Sequence, residues 1–538
     1  MRRRKALEPT MSKSATARMP RGIPFIIANE FAERFCFYGI NAILALYLVQ
    51  SMQFGEARAT IWVSLFKSGA YFFPLLGAVV SDVFWGKFRT VIAFSLAYCA
   101  GCIVLALGRD PFMISIGLFL IAFGTGGIKP CVATNVGDQF TSANQQLIER
   151  AFSWFYLAIN AGSTISILLC PLLLSAYGPT FAFGVPAAMM FLATIVFWAG
   201  RRRFAVVAPA GRIWLRDIFS AGGIATIMRL LAVYLFIAFF WSLWDQSNGT
   251  TWSLQARSQL MDKNLGFGIT LLPAQIQAVN AVLILILVPI FTYGIYPLLG
   301  RFVAVTPLRK IGAGLFVTAG SFLIIAWIES RIQAGIIVSV WWQILAYVVL
   351  TAGEVLVSIT GLEYSYKQAP LSMKSFIMAL FLLSVSAGNL FTAAVNHYMV
   401  RPLPAMRLEV GEETWLNLAS AAALVPGQKI DFAGKSGVEV LHPDGSVDAL
   451  EGTYLVQLVD AAGVRLQLMD AVTRQSLVTR GTFDAGKANV STYALVGPGY
   501  FTFFAATMGA VGVLFVFVAV LVPEATHLRG EAGSAAAA

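Results

Sequence analysis

Apolar runs of about 20 to 28 residues recur along the chain, and each is long enough to cross a hydrocarbon core of about 30 Å. Twelve such runs lie near 23–50, 59–83, 88–108, 112–135, 151–176, 181–200, 229–255, 270–297, 307–328, 340–366, 373–397 and 498–523. Between them only 12% of the 538 residues are charged, where a soluble chain carries roughly a quarter. The fold class expected is an all-α integral membrane protein of twelve spans. The first run, Ile23 to Val49, follows a basic start but is too long for a leader h-region and contains Glu30, Glu33 and Arg34. It therefore reads as a spanning helix.

The net charge of +11 does not point to nucleic acid, because the basic residues sit in short loops and form no stripe with interleaved aromatics. Lys87, Arg89, Arg150, Arg201–Arg203, Arg309, Lys310, Lys367 and Lys374 occupy even-numbered connections, which makes those cytoplasmic, with both termini on the same side. The five cysteines lie in apolar segments without metal-ligand spacing and read as buried thiols.

The expected layout is a tail (1–22), a six-helix bundle (23–200), a basic linker (201–228) and helices seven to eleven (229–397). A polar segment (398–497), the twelfth helix (498–523) and a second tail (524–538) complete it. The polar segment carries turn signals such as Pro443-Asp444-Gly445 and β-prone runs such as Thr453 to Val459. It is expected to be a small extracytoplasmic β-rich insert between the last two helices. Two six-helix halves joined by a basic linker resemble the major facilitator architecture, whose substrate site lies near the midplane between the halves.

Ionisable residues inside spans are costly and face a cavity or a partner. Glu30, Glu33, Arg34, Tyr38 and Asn41 fall on one face of the first helix. They read either as a polar cavity wall with one carboxylate free to titrate or as a Glu30–Arg34 pair that neutralises itself. In the fourth span, GTGGIKPC places Lys129 where glycines and Pro130 weaken the helix. Asp245 lies in the seventh span, and Glu354 and Glu363 in the tenth, about 13.5 Å apart along the axis and so unable to share a role. Lys67 in the second span has no evident partner. None of the three histidines falls in the first ten spans, so proton handling there would rest on carboxylates. No nucleophile–base pair or metal cluster is visible, so the chain does not read as an enzyme and needs no cofactor.

At these residues the chain resembles the proton-dependent oligopeptide transporter family of the major facilitator superfamily. The motifs are EFAERFCFYG in the first span, GGIKPCVATNVGDQF in the fourth, FYLAINAGS in the fifth, FWSLWDQ and WSLQA in the seventh, and GLEYSYKQAPLSMKS in the tenth. The resemblance implies a symporter importing di- and tripeptides by alternating access, with protons as the coupling ion. It implies proton coupling through Glu30, Glu33, Arg34 and Asp245, and peptide binding through Tyr38, Tyr71, Lys129, Asn160, Asn280, Trp252 and Glu354. In that scheme Lys129 engages Glu354 or the peptide carboxylate, while Glu354 accepts the peptide amino terminus. Asn41 stands where many members carry arginine, which removes one candidate cation for Asp245. Asn41 and Glu363 are secondary candidates. The location expected is a bacterial inner membrane, with lipid as surroundings and the chain as a monomer. The alternatives are the same fold carrying another substrate, such as nitrate or a peptidomimetic, and a non-transporting sensor that uses the insert.

Overall fold

The computed structural model describes residues 18–521 except 142, 143, 145, 146, 206–208, 210–215, 217, 267, 369–373 and 496. The 524–538 tail, most of the 1–22 tail and much of the 201–228 linker fall outside the described residues. Among the described residues, twelve helices are long and apolar enough to span a membrane: α1 Ile23–Gln50, α2 Glu56–Trp85, α3 Lys87–Leu107, α4 Pro111–Asp138, α5 Arg150–Tyr177, α6 Pro179–Arg202, α7 Ala221–Gln255, α8 Pro273–Leu299, α9 Pro307–Gln333, α10 Val340–Ser365, α11 Phe376–Met399 and α12 Pro498–Leu521. The bounds differ from the sequence expectation most at α7, which starts at Ala221 and not near 229. Ser220 explains this: its hydroxyl accepts from the Gly223 amide at 3.0 Å and caps a helix start that two glycines obscure.

The first six helices enclose one apolar core, with Ile43, Tyr47, Tyr98, Phe183 and Phe197 inside it. The last six enclose another, around Phe240, Trp252, Phe322 and Phe504. Small residues set how closely helices cross. A Cβ on Gly126 would lie 2.2 Å from Phe73 Cβ, and one on Gly127 would lie 2.1 Å from Phe94 Cγ. The glycines before Lys129 therefore serve tight packing of α4 on α2 and α3. They do not unwind α4, which runs unbroken from Pro111 to Asp138, in contrast to the expectation from composition.

α7 does break. Ser247 ends its long part, Gly249 takes φ +77°, and a short turn resumes at Thr251–Gln255. A Cβ on Gly249 would meet Asn41 O at 2.4 Å, so only glycine fits this crossing of α1.

Between α11 and α12 lies the expected β-rich insert. Its strands are β1 Val400–Pro402, β2 Ala405–Glu409, β3 Trp415–Leu418, β4 Lys429–Ala433, β5 Val438–Leu441, β6 Val447–Ala449, β7 Gly452–Val459, β8 Arg465–Asp470, β9 Thr479–Gly481 and β10 Asn489–Tyr493. Seven form an antiparallel sheet in the order β1-β10-β4-β7-β8-β3-β2, and three form a second sheet, β6-β5-β9. Alternating residues such as Ile430, Phe432, Val438, Val440, Leu466 and Leu468 point into a core separate from those of the two bundles. The insert thus folds on its own hydrophobic face, while its base, at Val400, Tyr493 and Leu495, joins the core of the second bundle.

Candidate functional site

The helical repeat of α1 stacks Glu30, Glu33 and Arg34, and their side chains pair on the spot. Arg34 Nε lies 2.7 Å from Glu30 Oε1 and 3.1 Å from Glu33 Oε2. Glu33 Oε1 also accepts from Thr125 Oγ1 of α4 at 2.6 Å. Both glutamates are buried, whereas the Arg34 side chain keeps 12% exposure. The geometry is that of the self-neutralising pair weighed above, extended to a triad that leaves one guanidinium edge toward the cleft.

Lys129 projects from α4 toward that edge. Its ammonium sits 4.0 Å from the centroids of both the Phe37 and Tyr71 rings, a two-faced cation–π contact. It has no hydrogen-bond partner among the described residues, and Arg34, Glu33, Glu30 and Asp245 are its electrostatic neighbours. The expected Lys129–Glu354 contact is not formed. Glu354, on α10 of the other bundle, accepts from Asn280 Nδ2 of α8 at 2.8 Å, and the same amide reaches Thr351 Oγ1 at 2.9 Å. A wide π-type turn, Val355–Ile359, directly follows Glu354, the kind of helix irregularity that gathers at functional positions. Tyr38 lies within electrostatic reach of Arg34 and of Glu354 and so connects the two sides. Tyr38, Tyr71, Asn160, Asn280 and Glu354 are partly exposed, and so is Lys129, although its ammonium is buried.

The expected pocket residues do not all gather there. Trp252 is completely buried, packed 4.8 Å from Tyr347 and 5.6 Å from Phe322, with its carbonyl accepting from Gln343. The break in α7 carries the turn Thr251–Gln255 against α9 and α10, so Trp252 is a core residue and not a pocket wall. Asn160 turns its amide back onto Tyr156 O of its own helix at 2.8 Å. Glu363 pairs with Lys367 one turn away, both roughly two-fifths exposed, an arrangement worth little energetically.

Asp245 has a cation that sequence reasoning left unassigned. Lys67 Nζ of α2 lies 3.3 Å from Asp245 Oδ1, and both side chains are almost fully buried. The same ammonium donates to Asp245 O at 2.9 Å and Asn248 O at 2.7 Å, carbonyls that the α7 break frees from the helix ladder. Asn389 Nδ2 of α11 donates to Asp245 Oδ2 at 2.6 Å. Asn41 donates to Asn248 O at 3.1 Å and so ties the same break. The arginine missing at position 41 is thereby compensated: the counter-charge of Asp245 comes from α2. Two signals could have led to it, an intramembrane lysine without a partner and an Asn-Gly turn inside a span.

These contacts, together with Ser68 Oγ–Ser386 Oγ at 2.8 Å and Gln275 Nε2 to Leu168 O at 2.9 Å, join the bundles toward the insert-bearing face. Lys129 and Glu354 stand on opposite bundles, each nearer the face that carries the termini. Among the described residues no His, Cys, Asp and Glu group is placed to hold a metal ion.

The profile described as POT family matches residues 88–227 and 220–416. Among relatives, Solute carrier family 15 member 2 of Danio rerio is 36% identical over 352 residues, 56% of this chain and 48% of its own. Peptide transporter family 1 of Drosophila melanogaster is 37% identical over 362 residues, 58% of this chain and 48% of its own. The chain thus spans about half the length of these curated relatives. A crystal structure of the POT family transporter PepTSo superimposes with a TM-score of 0.65 at 35% identity, covering 71% of this chain and 90% of that one. By its motifs, its two-bundle fold and these matches, the chain belongs to the POT family, a multi-pass membrane protein of the major facilitator superfamily.

Proposed function

We propose that this chain imports di- and tripeptides together with protons. The observation that carries the reading is an ammonium without a hydrogen-bond partner among the described residues, Lys129, on one bundle and a carboxylate that accepts from the Asn280 amide, Glu354, on the other. A zwitterionic dipeptide, with its ends roughly 7 Å apart when extended, presents the complementary pair. Capturing the two backbone ends leaves side chains to meet Tyr38, Tyr71 and apolar wall, so recognition is broad. The names of the relatives, peptide transporters among them, agree with this chemistry.

Coupling follows from the ion pairs. Lys67–Asp245 bridges the bundles and holds the insert-bearing side closed. Protonation of Asp245 removes the charge that Lys67 faces and frees that side to open. Peptide bridging Lys129 and Glu354 then draws the bundles together on the terminal side. Deprotonation of the α1 carboxylates and Asp245 toward the inside resets the carrier. By linkage, if protons tighten peptide binding, peptide raises proton affinity equally. The basic even-numbered loops support cytoplasmic termini and an insert on the outer face of a bacterial inner membrane. The carrier is taken to work as a monomer, because each bundle pair contains all the named groups.

The test is uptake of labelled dialanine into proteoliposomes with an acid exterior and a negative interior. Concentrative uptake that a protonophore abolishes is the expected result. A folded protein that accumulates no dialanine under that gradient overturns the peptide assignment.

A further inference from the structure

The insert is covalently part of the second bundle, entering from α11 and returning into α12, and its base is packed into that bundle's core. Ala494 N–H also donates to Met399 O at 2.7 Å, and Gln259 N–H to Val472 O at 3.3 Å, so the sheet is fixed on the second half by backbone bonds as well. Yet it also grips the first bundle, at the N-terminus of α2. Lys429 of β4 pairs with Glu56 at 2.6 Å. Thr453 Oγ1 of β7 accepts the Glu56 amide at 3.0 Å, and Tyr493 OH of β10 accepts the Ala57 amide at 3.2 Å.

A helix start leaves its first amides without partners, and the residue before this one, Gly55, has no side chain to cap them. The caps come from strands some 400 residues away. Asp431 organises them: it accepts from Thr453 Oγ1 at 2.6 Å and from the Tyr493 hydroxyl. Gly55 passes so close that a Cβ there would overlap the Asp431 carboxylate. These polar links sit beside apolar neighbours, with Ala57 of α2 buried in the core that also holds Tyr493 and Tyr500. The interface encloses a cavity of about 100 Å³ lined by Glu56, Arg257, Glu329, Lys429, Arg474 and Tyr500 among others.

We infer that the insert is a strap between the bundles, which caps the first turn of α2 from the second bundle and so biases the carrier toward the state closed on the insert-bearing side. The inference rests on the reading that the two bundles rock against each other. It does not depend on which substrate is carried. The strap thus sets how often the empty carrier opens on the insert-bearing side.

The test reads distance, not transport. The five native cysteines are buried, so spin labels go selectively to cysteines introduced at Tyr177 and Ile337, exposed positions on the insert-bearing ends of opposite bundles. Lys429→Met and Thr453→Val are each expected to raise the long-distance, outward-open population several-fold. Glu56→Gln combined with Lys429→Met is expected to open the protein no further than either change alone, because both remove the same contact. Distance distributions that match the unsubstituted protein in both Lys429→Met and Thr453→Val overturn the strap. So does an opening that is additive in the Glu56→Gln, Lys429→Met pair. Because dialanine uptake is not the readout, failure of the peptide assignment leaves this result standing.

Discussion

Lys67→Met is the most informative single change. The Lys67 side chain is 2% exposed, and its ammonium lies 3.3 Å from Asp245 Oδ1. At an effective dielectric constant of about 20, a charge pair at that separation interacts by about 5 kcal/mol. Part of that is offset by the desolvation of both groups. Truncating one partner of a buried pair leaves the other charge stranded and costs about 3–5 kcal/mol. Methionine keeps the length and apolar stem of the lysine, so packing against α7 is nearly retained, but Asp245 O and Asn248 O each lose one of their donors. The pair joins α2 to α7 across the closed insert-bearing side, so most of the loss is expected to fall on that state. A shift of about 3 kcal/mol changes the ratio of closed to open forms by about 100-fold.

The expected outcome is a label-pair distance distribution moved to the open form, with proton-driven accumulation of dialanine lost and exchange of dialanine at equal concentrations kept. Lys67→Arg preserves charge and is expected to behave nearly as the unsubstituted chain. Asp245→Asn combined with Lys67→Met removes both charges and is expected to cost less than the sum of the single changes, by about 2–4 kcal/mol in a denaturation cycle. Additive single effects, or a Lys67→Met protein with normal closure and normal coupling, would refute the assignment of Lys67 as the counter-ion of Asp245.

Other outcomes follow from the same geometry. Lys129→Gln keeps the polar reach but removes the charge held between the Phe37 and Tyr71 rings, and dialanine affinity measured by calorimetry is expected to fall at least tenfold while the melting temperature changes little. Gly249→Ala forces a Cβ onto Asn41 O at a positive φ, which costs about 1–3 kcal/mol and lowers thermal stability in detergent. Asp431, in the insert, is pushed up to about 7 by burial, with Glu56 adding to the rise and Thr453, Tyr493 and Lys429 opposing it. A carboxyl raised in the docked state binds its proton more tightly there. Docking, which adds Glu56 and Gly55 to its surroundings, is therefore favoured at acid pH and weakens as pH rises through about 7. Label distances at the insert-bearing face are expected to lengthen between pH 5.5 and pH 8, and Asp431→Asn to abolish that dependence. His397 of α11 and Glu451 line the same groove, so persistence of the pH dependence in Asp431→Asn and its loss in His397→Gln would assign it to the histidine.

Much of this protein can be read along the chain because the relevant forces act locally. Apolar runs of bilayer length gave all twelve spans, and period-two runs with Asp-Gly turns gave the β-rich insert at its observed place. Glu30 and Arg34 lie one helical turn apart, and their pairing was already among the readings that spacing allowed, whereas the second contact, from Arg34 to Glu33, was not. The start of α7 was missed because Gly222 and Gly223 mask a helix whose cap is Ser220. Trp252 was misplaced because the fate of a side chain after a helix break depends on what the next helices offer.

The sequence by itself determined which segments cross the membrane, where the insert stands and which residues carry charge into the apolar interior. Hydropathy and helical period need only neighbours a few positions away. Only the tertiary structure decided who neutralises whom. Lys67 meets the Asp245 backbone 178 residues on, and Lys429 meets Glu56 across 373. Lys129 is left between two rings rather than joined to Glu354. The packing of one bundle on the other sets those pairings, because a buried charge is stabilised by whichever partner the fold brings within about 4 Å, however distant it is along the chain.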